Sequence, residues 1–187
     1  MPLAGALAKF TAAAAQCDSL ISSAHRQDAV GAFFFPETNR KQITVAAFLN
    51  LFIGWESFLE EAFCALLCGA ATLNGNAPNK FASPPNVDAA RSMLTGINRY
   101  FDYGNHDNVA KISRIYFDQG APFQPHFSTI LSQLSDLRTM RNSSAHITST
   151  TQTALEGLAL RLLGRPSIGI ELYDLLTSVD PTSPSST

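Results

Sequence analysis

The chain has 187 residues and 20.2 kDa, enough for one domain with a short tail and too little for two ordinary ones. Hydrophobic residues make up 45%, with 13 Phe, which excludes disorder across the whole chain. Charged residues reach only 15%, below the ~25% usual in soluble domains, so part of the surface is expected to be covered by a second copy or another protein. The net charge of −2 and pI near 6.0 exclude a strongly basic face, so any contact with RNA must rest on a local cluster.

In chain order, Leu3 to about Val30 is Ala-rich and places Leu3, Leu7, Phe10, Ala14, Cys17 and Ile21 at helical spacing, which predicts a long first helix. Gly31–Asn39, with Phe33-Phe34-Phe35-Pro36, breaks that pattern and reads as a connector with an apolar tip. From Lys41 to Leu73 the stripe Phe48, Leu51, Phe52, Trp55, Phe58, Leu59, Phe63 and Leu66 predicts a second long helix, buried on a wide face. Asn50, Glu56, Glu60 and Glu61 make this stretch too polar for a bilayer, so no membrane contact is expected.

Asn74-Gly75-Asn76-Ala77-Pro78 stops the second helix. Two shorter helices are expected over Val87–Tyr100 and Asn108–Phe117, then a longer one with apolar positions Phe127, Ile130, Leu131, Leu134, Leu137 and Met140. Thr148-Ser149-Thr150-Thr151 offers N-caps for a helix over Ala154–Leu163, which Gly164-Arg165-Pro166 ends. Ile168–Ser178 suits either helix or strand, and residues 180–187, nearly all Pro, Ser and Thr, read as a flexible tail. The class expected is all-α, a bundle of long antiparallel helices forming one domain over 1–179.

Cys17, Cys64 and Cys68 lie on apolar segments, and the N-terminus carries no secretory pattern, which fits a reducing cytoplasm. Cys64 and Cys68 stand one helical turn apart, but no His or second Cys pair follows at ligand spacing, so they read as core thiols and no metal or cofactor is expected. His25, His106 and His126 read as surface or capping residues.

The chemistry concentrates in Leu137-Arg138-Thr139-Met140-Arg141-Asn142-Ser143-Ser144-Ala145-His146. On a helical wheel Arg141 falls in the middle of the apolar seam, with Arg138 about 60°, Asn142 about 100° and His146 about 140° away. A guanidinium stays charged, so it needs a carboxylate, a cleft or an interface. Asn142 and His146, at i and i+4, face the same way. An ion pair of Arg141 with Glu56, Glu60 or Glu61, and a dipole-complementing role for His146, are the plain structural alternatives.

This segment resembles the signature of the HEPN superfamily: Arg, a polar residue, then His after four to six residues, on a late helix of an α-helical bundle. Arg141, Asn142 and His146 match it, and Trp55-Glu56-Ser57-Phe58-Leu59-Glu60 is similar to the second helix of HEPN proteins of prokaryotic toxin and phage-defence systems. The resemblance covers about residues 40–165. It implies a metal-independent endoribonuclease, a homodimer whose Arg-x4-His segments line one cleft, with RNA as substrate and a cognate antitoxin or inhibitor protein as a possible partner. Arg141, Asn142 and His146 would be catalytic; Arg138, Ser143 and Glu56 would bind substrate, Glu56 by orienting Arg141. The Tyr that some such toxins carry two residues after the His is Thr148 here. Two competing readings are a non-catalytic HEPN-like module that binds a phosphate or nucleotide, and an unrelated helical dimer with a structural Arg141.

Overall fold

A computed structural model describes residues 3–146 and 148–178. Among these the regular structure is α-helical without a strand: α1 (Leu3–Ala24), α2 (Glu37–Leu67), α3 (Val87–Thr95), α4 (His106–Tyr116), α5 (Phe123–Ala145), α6 (Ser149–Leu163) and α7 (Leu172–Thr177). The all-α class therefore stands, and the segment 168–178, open between helix and strand, carries a helix. The expected tail 180–187 lies outside the described residues. The chain divides into two discontinuous compact units, Met1–Ala15 with Leu51–Ser135, and Gln16–Asn50 with Asp136–Thr187.

In the first unit the core gathers Leu59, Phe63, Leu66 and Leu67 of α2, Ala90 and Leu94 of α3, Val109 of α4, and Phe117, Phe123, Phe127 and Leu134. Phe63 stacks on Phe123 with centroids 4.7 Å apart. Trp55 is half-buried beside this core, tilted against Phe10 and Phe58 at 5.7 Å each and against Phe127 at 6.4 Å. Two glutamates of α2 turn to cations, Glu61 to Lys9 at 2.9 Å and Glu60 to Arg91.

The second unit is centred on Met140 of α5, Leu155, Leu158 and Ala159 of α6, and Ile170, Leu172 and Leu175, with Val45 and Phe48 of α2 packed on them. Its α6 starts five residues earlier than Ala154, because Thr148 caps it: the Thr148 hydroxyl accepts from the Thr151 N–H, and Thr151 returns the bond to the Thr148 N–H. This is a reciprocal capping box. Gly164, left-handed at φ +69°, closes the helix as expected.

Helices α1, α2 and α3 each end five or six residues before the boundary read in the sequence. Helix α1 ends at Ala24, because residues 25–35 fold into a tight hairpin. The Asp28 carboxylate accepts from the N–H groups of Val30 and Ala32 at 2.9 Å each, Gly31 takes φ +83°, and Phe34 N–H donates to the Arg26 carbonyl. Local side-chain-to-backbone bonds of this kind outcompete helix continuation. Helix α2 stops at Leu67 instead of Leu73, because the Ala70 N–H returns to the Ala65 carbonyl, Gly69 takes φ +98° and the Lys80 ammonium donates to the Leu67 carbonyl. Helix α3 stops at Thr95, closed by the Gly96 N–H on Ser92.

On α5 only part of the expected apolar stripe is buried. Phe127, Leu134 and Met140 are inward, while Ile130, Leu131 and Leu137 keep 41%, 36% and 39% of their surface exposed. The helix is interrupted at Ile130 (φ −125°, ψ 16°).

By length and composition α2 passes as a membrane span, with a mean hydropathy of 1.3 over its most apolar window, against the expectation that its acidic residues make it too polar. The same helix buries Leu59, Ala62, Phe63 and Leu66 in the first unit and pairs its glutamates with Lys9 and Arg91, which is compatible with a soluble protein.

The cysteines also separate. Cys17 and Cys64 are buried, whereas Cys68, read as a core thiol, is exposed where α2 ends, and all three are free. Burial, with Glu60 nearby, pushes the Cys64 thiol up to about 11, and burial followed by Asp18 raises Cys17. Since the thiolate is the reactive form, a disulfide reagent at pH 8 is expected to label one thiol rapidly in the native protein, and the other two only on unfolding. Cys68→Ser should remove the fast phase; a second fast thiol in that variant would contradict these placements.

Candidate functional site

Arg138, Arg141, Asn142, Ser143 and His146 all belong to the second unit, on the C-terminal part of α5 and the residue just past it. Arg141 is half-buried and its Nη1 donates to Asn142 Oδ1 at 3.1 Å. The amide carbonyl that follows the arginine therefore holds the guanidinium, and the i, i+4 relation of Asn142 to His146 is realised as a backbone bond, His146 N–H to the Asn142 carbonyl at 3.0 Å. Ser143 Oγ donates to the Met140 carbonyl at 2.7 Å, a back-bond that commonly tightens or bends a last turn.

His146 is exposed at the helix end. Its backbone carbonyl accepts from Thr151 Oγ1 and from the Thr148 N–H, so the capping box of α6 also anchors the motif's histidine. Arg138 is half-buried. Glu56 belongs to the first unit, where its carboxylate sits so close to Gly104 that any side chain there would collide with it.

Beside the motif is a cavity of about 730 Å³ within the second unit. Ser143 and Ser144 of α5 line one side and Val45 and Leu49 of α2 another, with Ile170 and Tyr173 completing it. Near its rim Lys41 bridges Glu171 at 3.0 Å and Glu37 at 3.5 Å, and the Glu171 bond first of all raises the lysine's proton affinity, keeping the cation charged. The Gly169–Ile170 strip of the wall is tied by Glu156, whose carboxylate accepts from the Gly169 N–H at 2.8 Å, and by Gln152, which donates to Glu156 and to the Ile170 carbonyl.

The Gly169 bond, then Gln152, lowers the Glu156 pKa below its ordinary 4.5. A carboxylate depressed in the folded state stabilises it above the unfolded pKa and loses that contribution as pH falls through the folded value. Glu156→Gln should therefore melt below the wild type at pH 7, and the gap should narrow as the medium is taken below about pH 4.5. A gap that stays constant with pH would mean the carboxylate charge is not what ties this strip.

Sequence reasoning missed several residues. His106, read as surface or capping, is buried: its Nε2 accepts from the Trp55 indole N–H at 2.9 Å, and Phe127 meets its ring edge-on at 5.9 Å. His25 is half-buried, bonded to Thr44 Oγ1 at 3.0 Å and stacked on Tyr173 at 6.0 Å, while His126 is exposed as expected. Lys41 and Tyr173 at the cavity gave no motif signal, since they lie 132 residues apart in sequence. Among the described residues no three His, Cys, Asp or Glu side chains group closely enough to hold a metal ion. Comparison with family models, with curated proteins and with solved structures found no match to this chain.

Proposed function

We propose that the protein is a HEPN-like, metal-independent endoribonuclease of a toxin–antitoxin or phage-defence system, acting in the cytoplasm as a homodimer with the Arg141–His146 segments near the two-fold axis. The observation that carries this reading is the motif's local arrangement: a half-buried Arg141 braced by Asn142, one turn from an exposed His146 whose backbone is pinned by the next helix. RNA brings its own nucleophile. The His146 imidazole takes the 2′-OH proton, the 2′-oxygen attacks phosphorus, Arg141 meets the negative charge on the phosphorane, and the 5′-oxygen leaves with a proton from solvent. The products are a 2′,3′-cyclic phosphate and a 5′-OH.

Arg138 and Ser143 would contact the flanking phosphates. Dimerisation is supported by the 15% charge content and by the exposed Ile130, Leu131 and Leu137 of α5. The deciding experiment incubates purified protein with total RNA in EDTA, wild type beside Arg141→Ala and His146→Ala. Cleavage by the wild type alone is the expected result; cleavage that survives His146→Ala, or that EDTA stops, overturns the mechanism.

A further inference from the structure

We propose that the hairpin 25–35 together with Tyr173 is a platform for the unpaired bases of single-stranded RNA, leading toward the cavity beside the motif. This rests on the ribonuclease reading above. The observation is a run of cation–aromatic pairs within the second unit. Arg26 Cζ lies 5.1 Å from the centre of the Phe34 ring, Arg40 Cζ lies 3.5 Å over Phe33, and Lys41 Nζ lies 5.6 Å over Tyr173. His25 joins the run, meeting Phe33 edge-on at 6.3 Å and stacking on Tyr173 at 6.0 Å. Tyr173 and Lys41 then line the cavity whose other side carries Ser143 and Ser144.

Lys41 is engaged by Glu171 and Glu37, so the charges of this strip left for an anion are those of Arg26 and Arg40. Glu37 and Glu171 serve Lys41, Asp136 serves Arg161, Asp28 closes the hairpin's own turn and Glu156 holds Gly169. Arg26 and Arg40 lie against ring faces and form no ion pair with a carboxylate among the described residues. Phe34 keeps 59% and Phe35 39% of their surface exposed, although their backbone is held by the Asp28 turn. Preorganised aromatic faces beside guanidinium groups suit single-stranded nucleic acid, where base stacking and phosphate contact work together without base-edge readout. A duplex offers such rings nothing, because its bases are already stacked.

An apolar tip flanked by arginines would also suit an anionic membrane surface. RNA is favoured because the run does not stop at the tip but continues through His25 and Tyr173 to the cavity that Ser143 and Ser144 of the motif helix share.

The test measures anisotropy of a labelled unstructured 12-nucleotide RNA on the His146→Ala protein, beside a fully paired hairpin RNA and sedimentation with phosphatidylserine vesicles. Phe34→Ala and Arg26→Gln, both at exposed positions, are added to that background. Phe34→Ala should weaken single-strand binding about tenfold, and Arg26→Gln should lower the slope of log K against log salt by about 0.7. Equal binding by both variants, hairpin binding as tight as single-strand binding, or a Phe34 effect on vesicles alone would overturn the platform. If the chain cleaves RNA yet Phe34→Ala leaves KM unchanged, the platform falls and the nuclease stands. Phe34-dependent binding of single strands by a wild type that cleaves nothing supports the platform and removes the nuclease reading.

Discussion

Replacing His146 with alanine is expected to abolish RNA cleavage while leaving the melting temperature within a degree or two of the wild type. The side chain is exposed, so its removal forfeits little packing, and the bonds that anchor this position run through its backbone carbonyl to Thr151 and Thr148, which alanine retains. Loss of a positioned general base costs roughly 10²–10⁴ in rate.

Arg141→Lys should fail as well, because an ammonium reproduces neither the bond to Asn142 Oδ1 in its present geometry nor the fork that spans two phosphate oxygens. Chelators should have no effect, and the products should resist ligases that require a 3′-OH. Full activity in His146→Ala or in Arg141→Lys would separate these residues from the chemistry.

The second large effect concerns stability. Trp55→Ala should cost about 3 kcal/mol, the lower end of the range for deleting a large aromatic from a core, since Trp55 is half-buried rather than enclosed. Two losses add. The ring leaves its contacts with Phe10, Phe58 and Phe127, and the buried His106 Nε2 loses the indole N–H bond, worth about 1 kcal/mol. Trp55→Phe separates them, keeping a ring but removing the N–H, and should cost about 1 kcal/mol. Denaturant titration of the three proteins decides the matter. Equal losses for Phe and Ala would assign the effect to the hydrogen bond; no loss for Ala would mean that Trp55 carries no packing.

Much of the fold was legible because helix punctuation is local. The Thr148 cap, the Gly164 stop and the periodicity of α2 each depend on residues within a few positions of one another, and the structure contains all three. Boundaries failed where a competing local device was read as helix: the Asp28 carboxylate closes a hairpin that Ala-rich composition alone does not announce, and α2 ends on a carbonyl capped by Lys80, thirteen residues past it. On α5 a regular wheel predicted that Ile130, Leu131 and Leu137 would be inward; the structure leaves them exposed on a helix interrupted at Ile130.

For the site, the sequence by itself determined the motif, because Arg141, Asn142 and His146 lie within six residues on one helix end and their bonds to one another are helical neighbour bonds. Only the tertiary structure decided what surrounds it. The cavity joins Val45 and Leu49 to Ser143 and Tyr173, and the cation–aromatic run joins Phe33 to Tyr173 through His25. The partner of Trp55 is likewise a histidine 51 residues away. Such pairings are set by how helix faces and the hairpin pack, and a helical period carries no information about which distant face will meet it.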